Sequence, residues 1–165
     1  MSLTRFLRHL SLPGWIVRKH FPEDLLTRIE RSIRASESDH RGEIGIAIEG
    51  GLELADLWRG VTPRQRALAA FASLGIWDTE ENTGVLIYIQ FADHAVEIVA
   101  DRGINRHVSQ AQWDEICRAL ETHFKRGDFA AGCEVAVRAI GELIEAHFPK
   151  GENNPDELPN RPVIL

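Results

Sequence analysis

The stretch WDTEENTGVLIYIQFADHAVEIVADRGI, residues 77–104, decides the fold. Val85 to Phe91 (VLIYIQF) is an almost continuous apolar run, rich in β-branched and aromatic residues. That is the pattern of a strand covered on both faces. Asp93-His94 supplies a turn, and Ala95 to Ala100 returns as a second strand. The two strands therefore pair antiparallel as a hairpin. An acidic loop, Asp78 to Asn82, leads into the unit, and Asp101-Arg102 leads out of it.

Upstream, Glu43 to Glu49 (EIGIAIE) alternates strictly and puts Ile44, Ile46 and Ile48 on one face. This predicts a half-buried strand. Leu52 to Gly60 reads as a loop or short helical turn. Thr62-Pro63-Arg64-Gln65 is a helix start: Thr62 can cap, Pro63 suits the first helical position and Gln65 can close a capping box. The inward stripe expected for that helix is Leu68, Phe71 and Leu74, with Gly75 as its stop. Strand, helix, strand over residues 43–91 predicts a right-handed parallel crossover.

Three further helices are expected. Glu23 to Ser38 carries the stripe Leu26, Ile29 and Ile33. Ser109 and Gln112 form a second capping box, opening a helix with Trp113, Ile116, Leu120 and Phe124 that ends near Gly127. A last helix from about Asp128 to His147 turns Val137, Ile140, Leu143 and Ile144 inward, and Pro149 stops it. The fold class is α/β: a three-layer α/β/α sandwich, with a small mixed sheet of three or four strands and helices on both faces.

The domain is expected over residues 22–149, with an N-terminal arm over 1–21 and an extended tail, KGENNPDELPNRPVIL, over 150–165. In the arm, Leu3, Phe6, Leu7 and Leu10 share one helical face, Arg5 and Arg8 lie off it, and Pro13-Gly14 ends it. Such a basic amphipathic segment either packs on the domain or makes a weak peripheral membrane contact. Trp58, Trp77 and Trp113 are expected in packing between layers rather than in ligand stacking.

Composition narrows the function. The chain is 44% hydrophobic and 27% charged, ordinary for a globular domain. Residues 1–22 carry Arg5, Arg8, Arg18 and Lys19 and no acid, a charge of +4, whereas the rest sums to −10 within a total of −6. So acidic a body is a poor nucleic-acid partner. No apolar run approaches the roughly 20 residues of a transmembrane span, and no export signal is visible. Cys117 and Cys133 are expected as small core residues in a reducing cytoplasm. There is no G-x-G-x-x-G, P-loop, H-E-x-x-H, paired C-x-x-C or G-x-S-x-G. The seven histidines are scattered, and each is expected at the surface or at a cap.

The hairpin has a chemical consequence. Asp78, Glu80, Glu81 and Asn82 precede one strand; Asp101 and Arg102 follow its partner. Antiparallel pairing gathers them at one sheet edge, and Glu43 joins them if the crossover is parallel. Asp78, Glu81, Asn82, Asp101 and Glu43 form an oxygen-rich set suited to Ca²⁺ or Mg²⁺. A cation there could neutralise a phosphate and orient water, with Asp101 and Glu81 on the metal and Arg102 on the phosphate as the catalytic trio. The alternative is an Asp101–Arg102 surface pair beside a solvated loop. A second polar end, Glu49, Glu53, Asp93 and His94, lies at the carboxyl ends of the parallel strands, where ligands of open α/β sheets bind.

The run GVLIYIQFADHAVEIVADRGI, preceded by WDTEEN and followed by a Trp-bearing helix and FKRGDFAAG, resembles the TPM domain family. HRGEIGIAIE at 40–49 is similar to its first strand, and HFP at 147–149 with DELPNRPVIL resembles its short, soluble bacterial subgroup. The likeness covers about residues 20–165. It implies an α/β/α sandwich, and a family that includes thylakoid-lumen acid-phosphatase-like and photosystem II repair proteins, some described as phosphatases or as binding calcium through acidic residues. Glu43, Asn82, Gly84, Asp101, Arg102, Gly103, Gly127 and Asp128 match its recurring polar and glycine positions. Thr83 departs where the family often has Asn, and the export signal or membrane helix of many relatives is absent. The expectation is a cytoplasmic binding or accessory module acting on a protein partner or a phosphorylated small molecule. A metal-assisted phosphomonoester hydrolase and a membrane-peripheral adaptor are the alternatives.

Overall fold

Two apolar faces on each strand require cover on both sides, and the chain supplies it. The structure is a computed structural model that describes residues 3–10, 12, 14–151 and 155–165. The expected break at Pro13, the side chain of Leu3 and residues 152–154 of the tail lie outside the described residues. In chain order the elements are α1 (Leu3–Leu10), α2 (Gly14–His20), α3 (Glu23–Glu37), β1 (Ile44–Glu49), α4 (Leu54–Trp58), α5 (Pro63–Ser73), β2 (Val85–Gln90), β3 (Ala95–Ala100), α6 (Arg102–Asn105), α7 (Gln110–Lys125), α8 (Phe129–His147) and β4 (Val163–Ile164).

The sheet order is β3-β2-β1-β4. β1 and β2 run parallel, from Ile44 opposite Val85 to Glu49 opposite Gln90. β2 and β3 form the expected hairpin, from Val85 opposite Ala100 to Gln90 opposite Ala95. The fourth strand comes from the tail, where Val163 and Ile164 pair parallel with Ala47 and Ile48. On one face Ile44, Ile46, Ile48, Val85, Ile87 and Ile89 pack against α3, α7 and α8. On the other, Ala47, Leu86, Tyr88 and Val99 pack against α5. The molecule is a three-layer α/β/α sandwich on a mixed sheet.

Three expectations need correction. α5 starts as expected, with Gln65 N donating to Thr62 Oγ1 at 3.2 Å and Thr62 N to Gln65 Oε1 at 2.9 Å. Yet Ala67 and Ala70 face the sheet, while Leu68 is exposed and Phe71 and Leu74 are only partly buried. Small residues let the helix approach closely, and Tyr88 from the strand below fills the space a leucine would have taken. Second, Trp113 is buried as expected, but Trp58 and Trp77 are exposed. Third, His9 and His40 are buried rather than at the surface. The N-terminal segment packs on the domain: Val17 and Phe21, each 1% exposed, belong to the main core.

α1 is seated the opposite way from its hydrophobic stripe. Arg5 and His9, one turn apart, face the body: Arg5 Nη2 donates to Asp93 Oδ2 at 2.8 Å and to Val61 O at 2.9 Å. His9 Nδ1 accepts from Leu52 N at 2.9 Å, and His9 Nε2 lies 3.0 Å from Asp93 Oδ1. Leu7 and Leu10 are left 55% and 61% exposed.

Candidate functional site

The amino ends of β1 and β2 and the carboxyl end of β3 meet at one edge, as the hairpin and the crossover require. Val85 N donates to Glu43 O at 2.8 Å, and Asp101 N to Gly84 O at 2.9 Å. Gly103 N then donates to Asn82 O at 2.9 Å, which sets the loop before β2 directly against the start of α6. Glycine is needed at both contacts. A Cβ on Gly103 would lie 2.4 Å from the carbonyl oxygens of Glu81 and Asn82, and one on Gly84 1.8 Å from that of Ile76. Asn82 itself adopts φ 57°, a left-handed conformation its side chain tolerates.

The side chains of this edge are divided among separate partners. Glu81 pairs with Arg41 at 2.5 Å, and its Oε2 is buried without a hydrogen bond among the described residues. Asn82 Oδ1 accepts from Arg102 Nε at 3.1 Å. Asp101 caps α6, its Oδ1 accepting from Arg102 N at 2.6 Å. Asp78 is exposed. Glu43 joins this edge through its backbone, and its carboxylate meets the tail, whose Glu157 also accepts from Glu80 N. Among the described residues the partners of the Glu43 carboxylate are Glu157 N and Leu158 N of the tail.

Where the tail meets Glu43, a second set converges. Carboxylate oxygens of Glu37, Glu43 and Asp156 lie within 4.8 Å of one another, and among the described residues this is the one group of three or more His, Cys, Asp or Glu side chains close enough to share an ion. Glu37 Oε1 accepts from Ile44 N at 2.8 Å, and its Oε2 accepts from the Asn160 amide. Glu43 accepts from Glu157 N at 3.2 Å and Leu158 N at 3.3 Å. Burial pushes the Glu37 carboxyl up to about 8 and the Glu43 carboxyl up to about 7, with repulsion from Asp156 adding to both. They line an open groove of about 340 Å³, together with Arg34, Lys150 and Asn160. Sequence reasoning found Glu43 and missed the other two. Glu37 had a signal: it continues the buried stripe Leu26, Ile29, Ile33 of α3, and a carboxylate on an apolar stripe needs a reason. Asp156 had none, because the path of the tail leaves no period in the sequence.

The opposite, carboxyl edge is held by buried ion pairs. Arg66 grips Glu49 with Nε at 2.9 Å from both carboxylate oxygens and Nη2 at 2.7 Å from Oε1, and the Tyr88 hydroxyl donates to the same carboxylate. Burial raises the Asp93 carboxyl, but hydrogen bonds from Arg5 and His9 outweigh it and hold it below its ordinary range. Glu49 and Asp93 are therefore engaged within the fold, and Glu53 is exposed at the start of α4.

Comparison with known proteins agrees with this architecture. A model of the TPM domain matches residues 19–143. The BA42 protein of the psychrophilic bacterium Bizionia argentinensis is 30% identical, with a TM-score of 0.76 over 86% of this chain and 93% of that one. Two more distant structures share the fold alone. The N-terminal domain of a P. gingivalis protein is 14% identical, with a TM-score of 0.60 over 90% of this chain and 96% of that one. The N-terminal domain of cg2496 from Corynebacterium glutamicum is 12% identical, with a TM-score of 0.54 over 82% and 80%. No curated protein matches. The matched residues run from α2 through most of α8 and include the whole hairpin, so the chain belongs to the TPM domain family.

Proposed function

We propose that this chain is a binding module whose amino edge takes a divalent cation, Ca²⁺ or Mg²⁺, in the Glu37–Glu43–Asp156 groove. The observation that carries the reading is the convergence of three carboxylates within 4.8 Å, two of them buried enough to favour the protonated form. A hard cation suits oxygen donors of this kind and would hold both in their charged form. Arg34 and Lys150 on the same groove suit the phosphate of a phosphorylated small molecule bound beside the ion. A phosphomonoester hydrolase built on Asp101, Arg102 and Glu81 is the weaker reading, because each of these side chains already has a partner of its own.

The test is thermal melting and NMR titration with MgCl₂ and CaCl₂ in a chelated buffer. Binding at 100 times the dissociation constant stabilises by about 2.7 kcal/mol, which raises the melting temperature several degrees. Asp156→Asn, at an exposed position, should abolish the rise, while Asp101→Asn leaves it intact. The reverse pattern assigns the ion to the Asp78, Glu81, Asn82 and Asp101 edge. No rise in any of the three proteins refutes cation binding.

A second reading has its own observation. α1 turns its polar face to the body and its leucines outward. Trp15 and Trp58 are 63% and 77% exposed nearby in the chain fold, with Phe6 edge-on to Trp58 at 6.4 Å. With Arg8, Arg18 and Lys19 in the same segment, this face suits an anionic bilayer surface. No helix of the described residues is long and apolar enough to cross a membrane, so the contact would be peripheral. Flotation with phosphatidylglycerol vesicles should recover the full chain and lose the Leu7→Glu, Leu10→Glu double variant; equal recovery refutes it.

A further inference from the structure

The carboxyl edge of the sheet, opposite the acidic groove, holds a partly open cavity of about 510 Å³ between β2, β3 and the ends of three helices. Its volume falls within the range of small-molecule sites, roughly 300–1,000 Å³. We propose that this cavity binds a small aromatic carboxylate, the ring stacked among phenylalanines and the carboxylate at Lys125.

The floor is aromatic. Phe91, Phe124 and Phe129 line it. Phe124 and Phe129 meet at 4.9 Å between ring centroids, Phe91 and Phe129 at 6.0 Å, and Phe21 supports Phe129 from the core at 5.2 Å. Offset and edge-on rings at these distances accept a further flat ring readily. The rim is polar. His20, His94 and Lys125 line it, with Glu121 as the one acid. The other acid of this turn, Asp93, is already held by Arg5 and His9.

Two features shape the rim. His20 sits between Phe91 and Phe129, 5.0 and 5.2 Å from their centroids. Its Nδ1 donates to Ile16 O at 2.8 Å, which fixes the ring. α8, 19 residues long, begins at Phe129 with no side-chain cap from Asp128, so its positive end adds to the same rim. The place is also where open α/β sheets bind ligands, at the carboxyl ends of parallel strands. Nothing here depends on the cation groove.

The experiment is an amide-resolved NMR titration with sodium 1-naphthoate and, in parallel, neutral naphthalene-1-methanol. Saturable shifts confined to residues 20, 90–95 and 121–129 support the site. The acid should bind about tenfold more tightly than the alcohol, the value of one charge-assisted contact. Lys125→Gln with His94→Gln should bring the two ligands within about threefold. Ala95→Phe, which places a ring in the cavity, should abolish saturable shifts while keeping the native spectrum. Shifts elsewhere, no saturation, equal affinity for acid and alcohol in the unaltered protein, or unchanged binding in Ala95→Phe each overturn the proposal.

Discussion

Replacing Glu37 by Gln should make the protein more stable above neutral pH and leave it unchanged in acid. Glu37 bonds Ile44 N–H and the Asn160 amide inside the fold, and its carboxyl is raised from 4.5 to about 8. A raised carboxyl ionises first in the unfolded chain. The native state is thus most favoured below about pH 4.5 and loses that advantage as pH climbs to about 8, beyond which the loss is complete. At 1.36 kcal/mol per unit the full shift corresponds to a ceiling on the order of 5 kcal/mol. The groove is open to water on one side, and relaxation there brings the usable figure nearer 2 kcal/mol. Glutamine mimics the protonated acid: it keeps an oxygen for Ile44 N–H and, once the Asn160 amide turns, a donor for its oxygen. In a chelated buffer at pH 8.5, Glu37→Gln should melt about 4–8 °C above the unaltered protein, and at pH 4 the two should coincide. Added magnesium should stabilise the unaltered protein at pH 8.5 and not the variant. A melting temperature flat from pH 5 to 8.5, or a variant weaker by the same amount at both ends, refutes the reasoning.

Three other outcomes follow from packing and charge. Gly84→Ala puts a methyl 1.8 Å from Ile76 O, a backbone collision that should cost about 3 kcal/mol or more and show in a chemical melt. Arg66→Ala strips the guanidinium from the buried Glu49 carboxylate and should cost about 3 kcal/mol, whereas the double change Arg66→Ala, Glu49→Gln recovers part of it. Burial pushes the Cys117 and Cys133 thiols up to about 12, so at pH 8 both should resist a thiol-specific dye until the protein is denatured; rapid labelling of the native state contradicts their burial.

The elements legible in the sequence are those whose period matches their cover. EIGIAIE and VLIYIQF read as strands because alternation and β-branching report burial directly, and the parallel crossover between them followed from the helix they enclose. β4 was illegible because two residues, Val163 and Ile164, carry no period; only the partner strand makes them one. α2 was hidden because Trp15, Ile16 and Val17 look like an unpatterned apolar run after a break. α5 was read on the wrong face, since size rather than polarity decides which residues approach a sheet closely. The acidic edge was legible to the level of the backbone. Its pairing was not: Arg41, from the turn before β1, takes Glu81, and Asn160 and Asp156 reach Glu37 and Glu43 only through the return of the tail.

The order β3-β2-β1-β4 leaves two rims where a foreign chain could add itself. One is β4, too short to template anything. The other is β3, six residues long and apolar on the inside. Its open side is guarded: Arg64 Nη1 occupies the Ile98 carbonyl at 2.5 Å and lies 3.6 Å from the Glu97 carboxylate. A charged pair on an unpaired strand blocks edge-to-edge growth between molecules. Without Arg64 and Glu97, concentrated protein would be expected to polymerise through this hairpin while each monomer kept its native core.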